Sequence, residues 1–317
     1  MSVFVKNDKI LRALRICGIL TSVWPLEDGA GRFKVISYKV LLWVYLVNDF
    51  SMVPTLIWNM SHHRNDFANV MKAIMELMYV SEEIVNILYC MVREKRFRKL
   101  LAELECADDE RSPYEEILRR EFMFYARVVY TCAVIIYFVC AITFALSPLV
   151  LSQRRQIPLN TIYPLSMSEM WAWCLVYTLN VFSIIQAFSV LQIDLMIITI
   201  LWNATFKFSL VGIQMHSVFT VAKLRAAIDA HQKVFAYTQE MEYVIGFLIM
   251  KSVVVVFVNS INCSLLVINT TSGLDILVFL QPLIILCNDL VYFGTIVNNL
   301  AETSSRFLAQ NLGHPPP

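Results

Sequence analysis

The stretch VVYTCAVIIYFVCAITFALSPLVLSQ, residues 128–153, decides the fold class, because its 26 residues include no Asp, Glu, Lys or Arg. The runs from Met170 to Ile193 and from Ser252 to Leu274 are free of these charges as well. A helix crosses a bilayer with about 20 predominantly apolar residues. Three such runs in one chain predict an integral membrane protein built from helices.

The composition agrees with a lipid environment. Apolar residues make up 58% of the 317 residues and charged residues only 16%, with a mean hydropathy of +0.60. Soluble domains average about 45–50% apolar and about 25% charged residues. The net charge of +1 gives no reason to expect a nucleic-acid partner.

The hydrophobic pattern predicts an all-α, polytopic bundle of six spans over residues 35–300. A cytoplasmic segment, 1–34, comes before the bundle, and a short tail, 301–317, follows it. Two inner segments, 93–121 and 203–242, are expected to be helical extensions of the spans. The predicted spans are roughly Val35–Trp58, Phe67–Met91, Phe122–Ser147, Met170–Trp202, Tyr243–Ile268 and Asp275–Leu300.

The second span carries unusual charge. At 100° per residue, Lys72, Glu76 and Glu83 fall on one helix face. Because charge in lipid is costly, this face is expected to look into the bundle or a water-filled cavity. The alternative is an amphipathic helix that lies in the cytoplasm.

Basic residues predict the orientation. With the N-terminus inside, 19 Lys and Arg residues lie in inner segments and 3 in outer segments. Inner loops carry the excess of Lys and Arg, so the N-terminus is predicted to be cytoplasmic. The sequons at Asn59 and Asn269 then fall outside and are possible glycosylation sites.

Apolar side chains recur at helical spacing in both inner segments, which predicts amphipathic helices. Together these helices are expected to form a base beneath the membrane. The sequence leaves open whether this base joins subunits or packs only within one chain. The two apolar stripes are Phe97, Leu100, Leu101 and Leu104, and Val221, Leu224, Ile228 and Phe235.

No catalytic constellation is visible. The five histidines form no HExxH arrangement, no CxxC pair exists, and the eight glycines form no phosphate-binding loop. We therefore predict no enzyme activity, no catalytic residues, no cofactor and no metal site. Asp49, Asp194 and Asp289 lie in predicted spans, where they either form an ion path or are satisfied by neighbouring helices.

Four segments, in order along nearly the whole chain, resemble one family. The insect odorant receptors, and their hymenopteran branch most closely, have similar motifs at similar spacing. The matching segments are Leu14–Gly18 with Trp24–Glu27, Ile157–Pro158 with Tyr163–Leu165, Ala227–Val234 with Glu240 and Glu242, and Cys287 with Tyr292–Gly294 and Ser304. Ile157 and Val234 stand where the family motifs have Leu and Ile.

The resemblance implies a function. Members of this family are subunits of an odorant-gated, non-selective cation channel, a hetero-oligomeric tetramer that contains a shared co-receptor. A small volatile odorant binds in the outer half of the spans and opens a central pore. The implied location is the plasma membrane of olfactory sensory neurons, with the N-terminus in the cytoplasm and lipid around the spans.

The resemblance also implies where the odorant binds, namely between the second, third and fourth spans. Apolar, aromatic and Met side chains suit a small apolar ligand held by shape and dispersion. Ordinary packing between helices is the alternative for each residue. The candidate ligand-binding residues are Met75, Met78 and Tyr79, then Tyr137, Phe138, Ala141 and Phe144, and finally Tyr177 and Val181.

The end of the chain departs from the family pattern. The family has a seventh span that lines the pore, whereas only Glu302 to Pro317 follow the sixth span here. Sixteen residues rich in polar groups and proline are too few to cross a bilayer. The resemblance therefore implies a chain truncated at its C-terminus, and leaves a non-conducting receptor fragment as one alternative function.

Other classes of membrane protein fit less well. A gustatory receptor-like channel shares the architecture and remains an alternative. A transporter should show internal repeats, which the two halves of this chain lack. A voltage-gated channel needs several arginines in one span, and Arg127 is the only arginine in any predicted span.

Overall fold

A computed structural model defines the fold. All regular structure in the described part of the chain is helical, which confirms the predicted fold class. Apart from Gly294 and Asn298, the predicted sixth span, with Asp289 in it, and the tail lie outside the described residues. The structure describes residues 9–26, 29–105, 113–151, 157–216 and 220–269, together with Gly294 and Asn298.

Eight helices form this part of the chain. Four helical stretches in it, Arg32–His62, Arg127–Leu146, Met170–Met215 and Val221–Asn269, are long and apolar enough to cross a membrane. The helices are α1 (Lys9–Leu20), α2 (Arg32–His62), α3 (Phe67–Val92), α4 (Glu94–Glu105), α5 (Pro113–Leu151), α6 (Met170–Gln186), α7 (Phe188–His216) and α8 (Val221–Asn269).

The predicted second span is helical, but its charged residues keep it out of the four apolar stretches. Its N-terminus is capped by Asp66, whose carboxylate accepts a hydrogen bond from the Asn69 N–H at 3.2 Å. Such a cap satisfies one of the free N–H groups at a helix start. Helix α3 packs along α2 and also contacts α7, α8 and α4.

The structure divides the predicted fourth span at Ala187, a feature that the hydrophobic pattern does not show. The Ala187 N–H donates to the Ser183 carbonyl at 2.9 Å, and its own carbonyl accepts from the Val190 N–H at 3.1 Å. This second bond is an i to i+3 turn, tighter than an α-helical turn. Helix α7 then continues to His216, past the predicted end of the span at Trp202.

Helix α7 is the centre of the bundle. It contacts α1, α3, α4, α5, α6 and α8. Seven of its residues between Ile193 and Leu201 are buried apolar side chains, so this helix is apolar on nearly every side. A helix of that kind is stable only when other helices surround it. The outer helices can therefore turn their remaining apolar faces toward lipid.

The end of α1 depends on a glycine. A Cβ added to Gly18 would lie 2.8 Å from the Cβ of Trp24, closer than side-chain carbons normally approach. The Trp24 N–H donates to the Gly18 carbonyl at 2.9 Å and folds the chain back over the helix. Tyr38 and Tyr45 of α2 hold this turn through hydrogen bonds to Ser22 and Leu20. Gly18 and Trp24 are the glycine and tryptophan of the N-terminal segment that resembles the odorant receptors.

Both inner segments are helical where the structure describes them, as predicted. Phe97, Leu100 and Leu101 of the first stripe are buried, because α4 packs against α7 and α8. The second stripe differs: its four side chains are 42–70% exposed, and Ala227, Val234 and Tyr237 on other faces of α8 are buried instead. The second stripe therefore faces away from its own chain.

Candidate ligand-binding region

The segment 157–164 enters the bundle at the end that the predicted orientation makes the outer one. The backbone N–H and the side-chain amide of Asn160 both donate to the Glu76 carboxylate of α3 at 2.8 Å. The Leu159 N–H donates to the Asn180 side chain of α6 at 3.0 Å. The Ile162 N–H reaches the Thr55 carbonyl of α2 at 3.4 Å. The segment, called the outer plug here, is thus bonded to three helices.

Apolar and polar contacts both bury the outer plug. Leu159 packs on the cluster of Met52, Leu56, Val80 and Ile84 between α2 and α3. Thr161 is 5% exposed, and burial raises the pKa of the Tyr163 phenol above its usual range. A buried loop needs partners for its backbone groups, and Asn180 and Glu76 supply them.

Tyrosines join α5 to α6 close to the outer plug. The Tyr177 hydroxyl donates to the Ala145 carbonyl at 2.6 Å, and the Tyr137 hydroxyl donates to the Ile184 carbonyl. The ring of Tyr137 also lies 4.9 Å from that of Phe188, and Phe138 lies 5.4 Å from the same ring. Both hydroxyls are therefore engaged, and a ligand here would meet the ring faces of the tyrosines.

The α3 candidates lie against a different helix. Met75 is 6% exposed and packs with Met71 against Cys263 and Leu266 of α8. Its sulfur lies 4.0 Å from the Cys263 sulfur. Met78 and Tyr79, one turn farther along α3, are half-buried. The structure thus brings Met75 to α8, whereas the sequence groups it with the third and fourth spans.

The remaining candidates differ in exposure. Ala141, Phe144 and Val181 are half-buried, and Phe138 is 50% exposed. Phe138 nevertheless keeps one ring face on Phe188. Helices α5 and α6, which carry these side chains and the two tyrosines, are in contact.

A buried polar group that sequence reasoning missed lies where α6 ends and α7 begins. The Asn48 amide donates to Ser183 at 2.7 Å and to Gln186 at 3.1 Å, and the Ser189 hydroxyl donates to Glu83 at 2.9 Å. No spacing rule finds this group, because its members come from four helices. We call it the break cluster: Asn48, Asp49, Glu83, Ser183, Gln186 and Ser189.

The charged face of α3 looks into the bundle, as predicted. Glu83 is 3% exposed in the break cluster, and Glu76 binds the outer plug. Glu82, which the sequence does not place on this face, is also buried and pairs with Lys251 of α8. The Lys251 ammonium donates in addition to the Asn86 side chain at 2.7 Å.

The two predicted sequons differ in access. Asn59 is 5% exposed and its side-chain oxygen lies 2.8 Å from Nδ1 of His63, so it is poorly placed to receive a glycan. Asn269, at the end of α8, is exposed, and its amide donates to the Leu265 carbonyl at 2.7 Å. Asn269 is the better placed of the two.

The sequence matches the model of a known protein family. A family model described as 7tm Odorant receptor matches residues 64–309, well over half of the chain. The chain belongs to this family. It is a membrane protein and a receptor, and not an enzyme. No curated protein matches the receptor in sequence.

Solved structures give the same fold. The insect olfactory receptor OR5 from Machilis hrabei is similar with a TM-score of 0.82 and 13% identity, over 96% of the receptor and 82% of that chain. The same protein in complex with eugenol is similar with a TM-score of 0.77 and 14% identity, over 95% and 83% of the two chains. At this identity the likeness shows the helical fold that the sequence predicted.

Proposed function

We propose that this receptor is a subunit of an odorant-gated, non-selective cation channel, a tetramer that it forms with a shared co-receptor in the plasma membrane of olfactory sensory neurons. The observation that carries the proposal is the family match over residues 64–309. The solved relative in complex with eugenol supports a small volatile molecule as the ligand.

The ligand site proposed here lies in the outer half of the bundle. Aromatic faces of Tyr137, Phe138 and Tyr177 support it on the side of α5 and α6, and Met75 and Met78 support it on the side of α3. Such side chains hold an apolar ligand by contact area. The outer plug borders this region, because it binds both α3 and α6.

The exposed stripe at the inner end of α8 supports an oligomer. Val221, Leu224, Ile228 and Phe235 are all at least 42% exposed on one chain. Exposed apolar patches commonly mark protein–protein contacts. We place the contact with a neighbouring subunit here.

Current recording from cells that express the receptor with its co-receptor tests this function. We expect a panel of volatile molecules to evoke cation currents that neither subunit gives alone. Phe144→Ala should shift the half-maximal odorant concentration by about tenfold, the effect of one lost apolar side chain of about 1.4 kcal/mol.

Ile142→Ala is the matched control. Ile142 lies two positions away on α5 and is 56% exposed, so the same deletion there should leave the odorant response unchanged at equal surface expression. Equal shifts in both variants would overturn the ligand site. Absence of any current from correctly targeted receptor and co-receptor would overturn the channel function.

A further inference from the structure

The break cluster contains two carboxyl groups and no Lys, Arg or His side chain. Asp49 is completely buried and Glu83 is 3% exposed. The two groups are close enough to interact electrostatically, and the Gln186 amide lies near both. The nearby Lys251 is engaged with Glu82 and Asn86. Two buried carboxylates without a counter-charge are strongly unfavourable in a low-dielectric interior.

Asp49 has unmet bonding capacity. Neither of its side-chain oxygens makes a hydrogen bond, although each can accept two. Buried polar atoms in folded proteins nearly always have a partner. The two unpaired oxygens of Asp49 can therefore accept bonds from a bound group.

A second buried side chain without hydrogen-bond partners, Gln192, lies on α7 near Ser189. Gln192 is 1% exposed, and both its amide nitrogen and its amide oxygen are without a partner. It follows Ser189 by three residues on α7, so both side chains lie on one helix face. Because Ser189 donates to Glu83, that face looks toward the carboxyl groups. Gln192 thus lies on the face of α7 that carries Ser189, with an unpaired amide oxygen that can act as a ligand.

We propose that the break cluster binds a hard cation, Na⁺ or Ca²⁺, through the oxygens of Asp49, Glu83, Ser189 and Gln192. Both ions prefer carboxylate, amide and hydroxyl oxygens as ligands. The cluster lies at a break between two membrane helices, and cation sites in membrane proteins are often built at such breaks. In the described part of the chain no three His, Cys, Asp or Glu residues come together, so a transition-metal site has no support there.

Thermal unfolding of the full-length receptor in lipid nanodiscs tests the proposal. NaCl is exchanged for choline chloride at constant ionic strength in one series, and CaCl₂ is added against EGTA in the other. A ligand that binds only the folded state raises the unfolding midpoint in a saturable way. We expect a saturable rise with one of the two ions, and the series that shows it identifies the ion.

Two variants locate the site. Asp49→Asn keeps the shape of the side chain and should abolish the saturable rise. Ser189→Ala removes one neutral oxygen and should weaken the apparent affinity at least threefold, and it serves as the test if Asp49→Asn does not fold. Asp229→Asn, an exposed carboxylate on α8, is the control and should respond as the original protein does.

The alternative is that both carboxyl groups are protonated and no cation binds. An unfolding midpoint that changes with pH but with neither ion would establish that alternative and overturn the proposal. An unaltered ion response in both Asp49→Asn and Ser189→Ala would also overturn it, because the ion would then bind elsewhere.

Discussion

Gly18 shows how one residue fixes the N-terminal turn. Any side chain at this position meets Trp24, because the ideal Cβ would lie 2.8 Å from the Trp24 Cβ. We expect Gly18→Ala to destabilise the receptor by about 1–3 kcal/mol, the usual cost of overpacking. The unfolding midpoint of the detergent-solubilised protein measures this loss.

Gly246 provides the control for that substitution. It is also helical, in α8, but a Cβ there has nothing within 4 Å. Gly246→Ala should be neutral or stabilise by up to about 1 kcal/mol, because alanine favours the helix. Equal losses in both alanine variants would contradict the packing role of Gly18.

At the residue scale, the sequence predicts which side chains must avoid lipid better than it predicts which residues they contact. The charges on α3 had to face inward because lipid excludes them, and Glu76 and Glu83 do so. The bond between Glu76 and Asn160 was beyond prediction, because 84 residues separate the two in sequence. For the same reason the contact of Met75 with Cys263 was not foreseen. The nine candidate ligand residues stay a prediction.

At the element scale, the pair of Lys251 and Glu82 joins α8 to α3. Both side chains are largely buried, with 13% and 6% of their surface exposed. Removing one partner of a buried pair typically costs about 3–5 kcal/mol, because the other charge is stranded. We expect that loss of stability for Lys251→Met, and recovery of most of it in the double variant Glu82→Met with Lys251→Met.

The exposed pair of Arg96 and Glu240 is the comparison. Its side chains are 44% and 26% exposed, and exposed pairs contribute only about 0–1 kcal/mol. Arg96→Met should therefore cost clearly less than Lys251→Met, even with the loss of its contact to the Tyr243 ring. Similar midpoints for the two single variants in thermal unfolding would contradict this reasoning.

The outer plug is the second element with a measurable anchor. Asn160→Ala removes the side-chain hydrogen bond to Glu76, which is worth about 0.5–1.5 kcal/mol. Opening of the segment should become about 2- to 13-fold more frequent, so its amides should exchange with deuterium faster.

Ser166→Ala is the control for the outer plug. Ser166 is exposed and its hydroxyl bonds to that of Ser168 nearby, outside the outer plug, so exchange in 157–164 should not change. An unaltered exchange rate in Asn160→Ala would show that Glu76 does not hold the segment in place.

The elements themselves were largely predictable. Apolar and charge-free stretches predicted the starts of the helices at Arg32, Phe67 and Met170 to within a few residues. The helix that begins at Val221 was predicted in two parts, as an inner helical extension followed by a span. The break at Ala187 was not predictable, since alanine favours helix and the residues around it are apolar or small. The break arises from tertiary contacts, in which Asn48 and Glu83 bind the polar side chains on either side of it.

At the scale of the whole molecule, the orientation is still a prediction. The segments on the N-terminal side of the membrane carry 19 Lys and Arg residues and those on the opposite side carry 3, so we expect the N-terminus in the cytoplasm. An epitope at the N-terminus should bind antibody only after the cells are permeabilised, and an epitope inserted after Ser166 should bind on intact cells. The reverse pattern would place the outer plug inside the cell.

The all-helical class followed from composition, because lipid permits only helices or closed barrels and the runs were too long for strands. The packing of the bundle around α7 did not follow from it. Every span has apolar residues on several faces, so hydrophobicity alone does not tell a central helix from one that faces lipid. The pairing of α7 with six other helices is set by shape and by buried polar contacts.

The length of α8 has a mechanical consequence. It runs unbroken for 49 residues without a proline, touches Met75 through Cys263, and reaches Arg96 through Glu240. Those two contacts are 23 positions apart, which is about 35 Å at 1.5 Å per residue. Because the helix is continuous between the two contacts, a displacement of α8 at Cys263 is expected to move its Glu240 end as well. A small molecule bound beside Met75, at the proposed ligand site, would then also displace the opposite, Glu240 end of this helix.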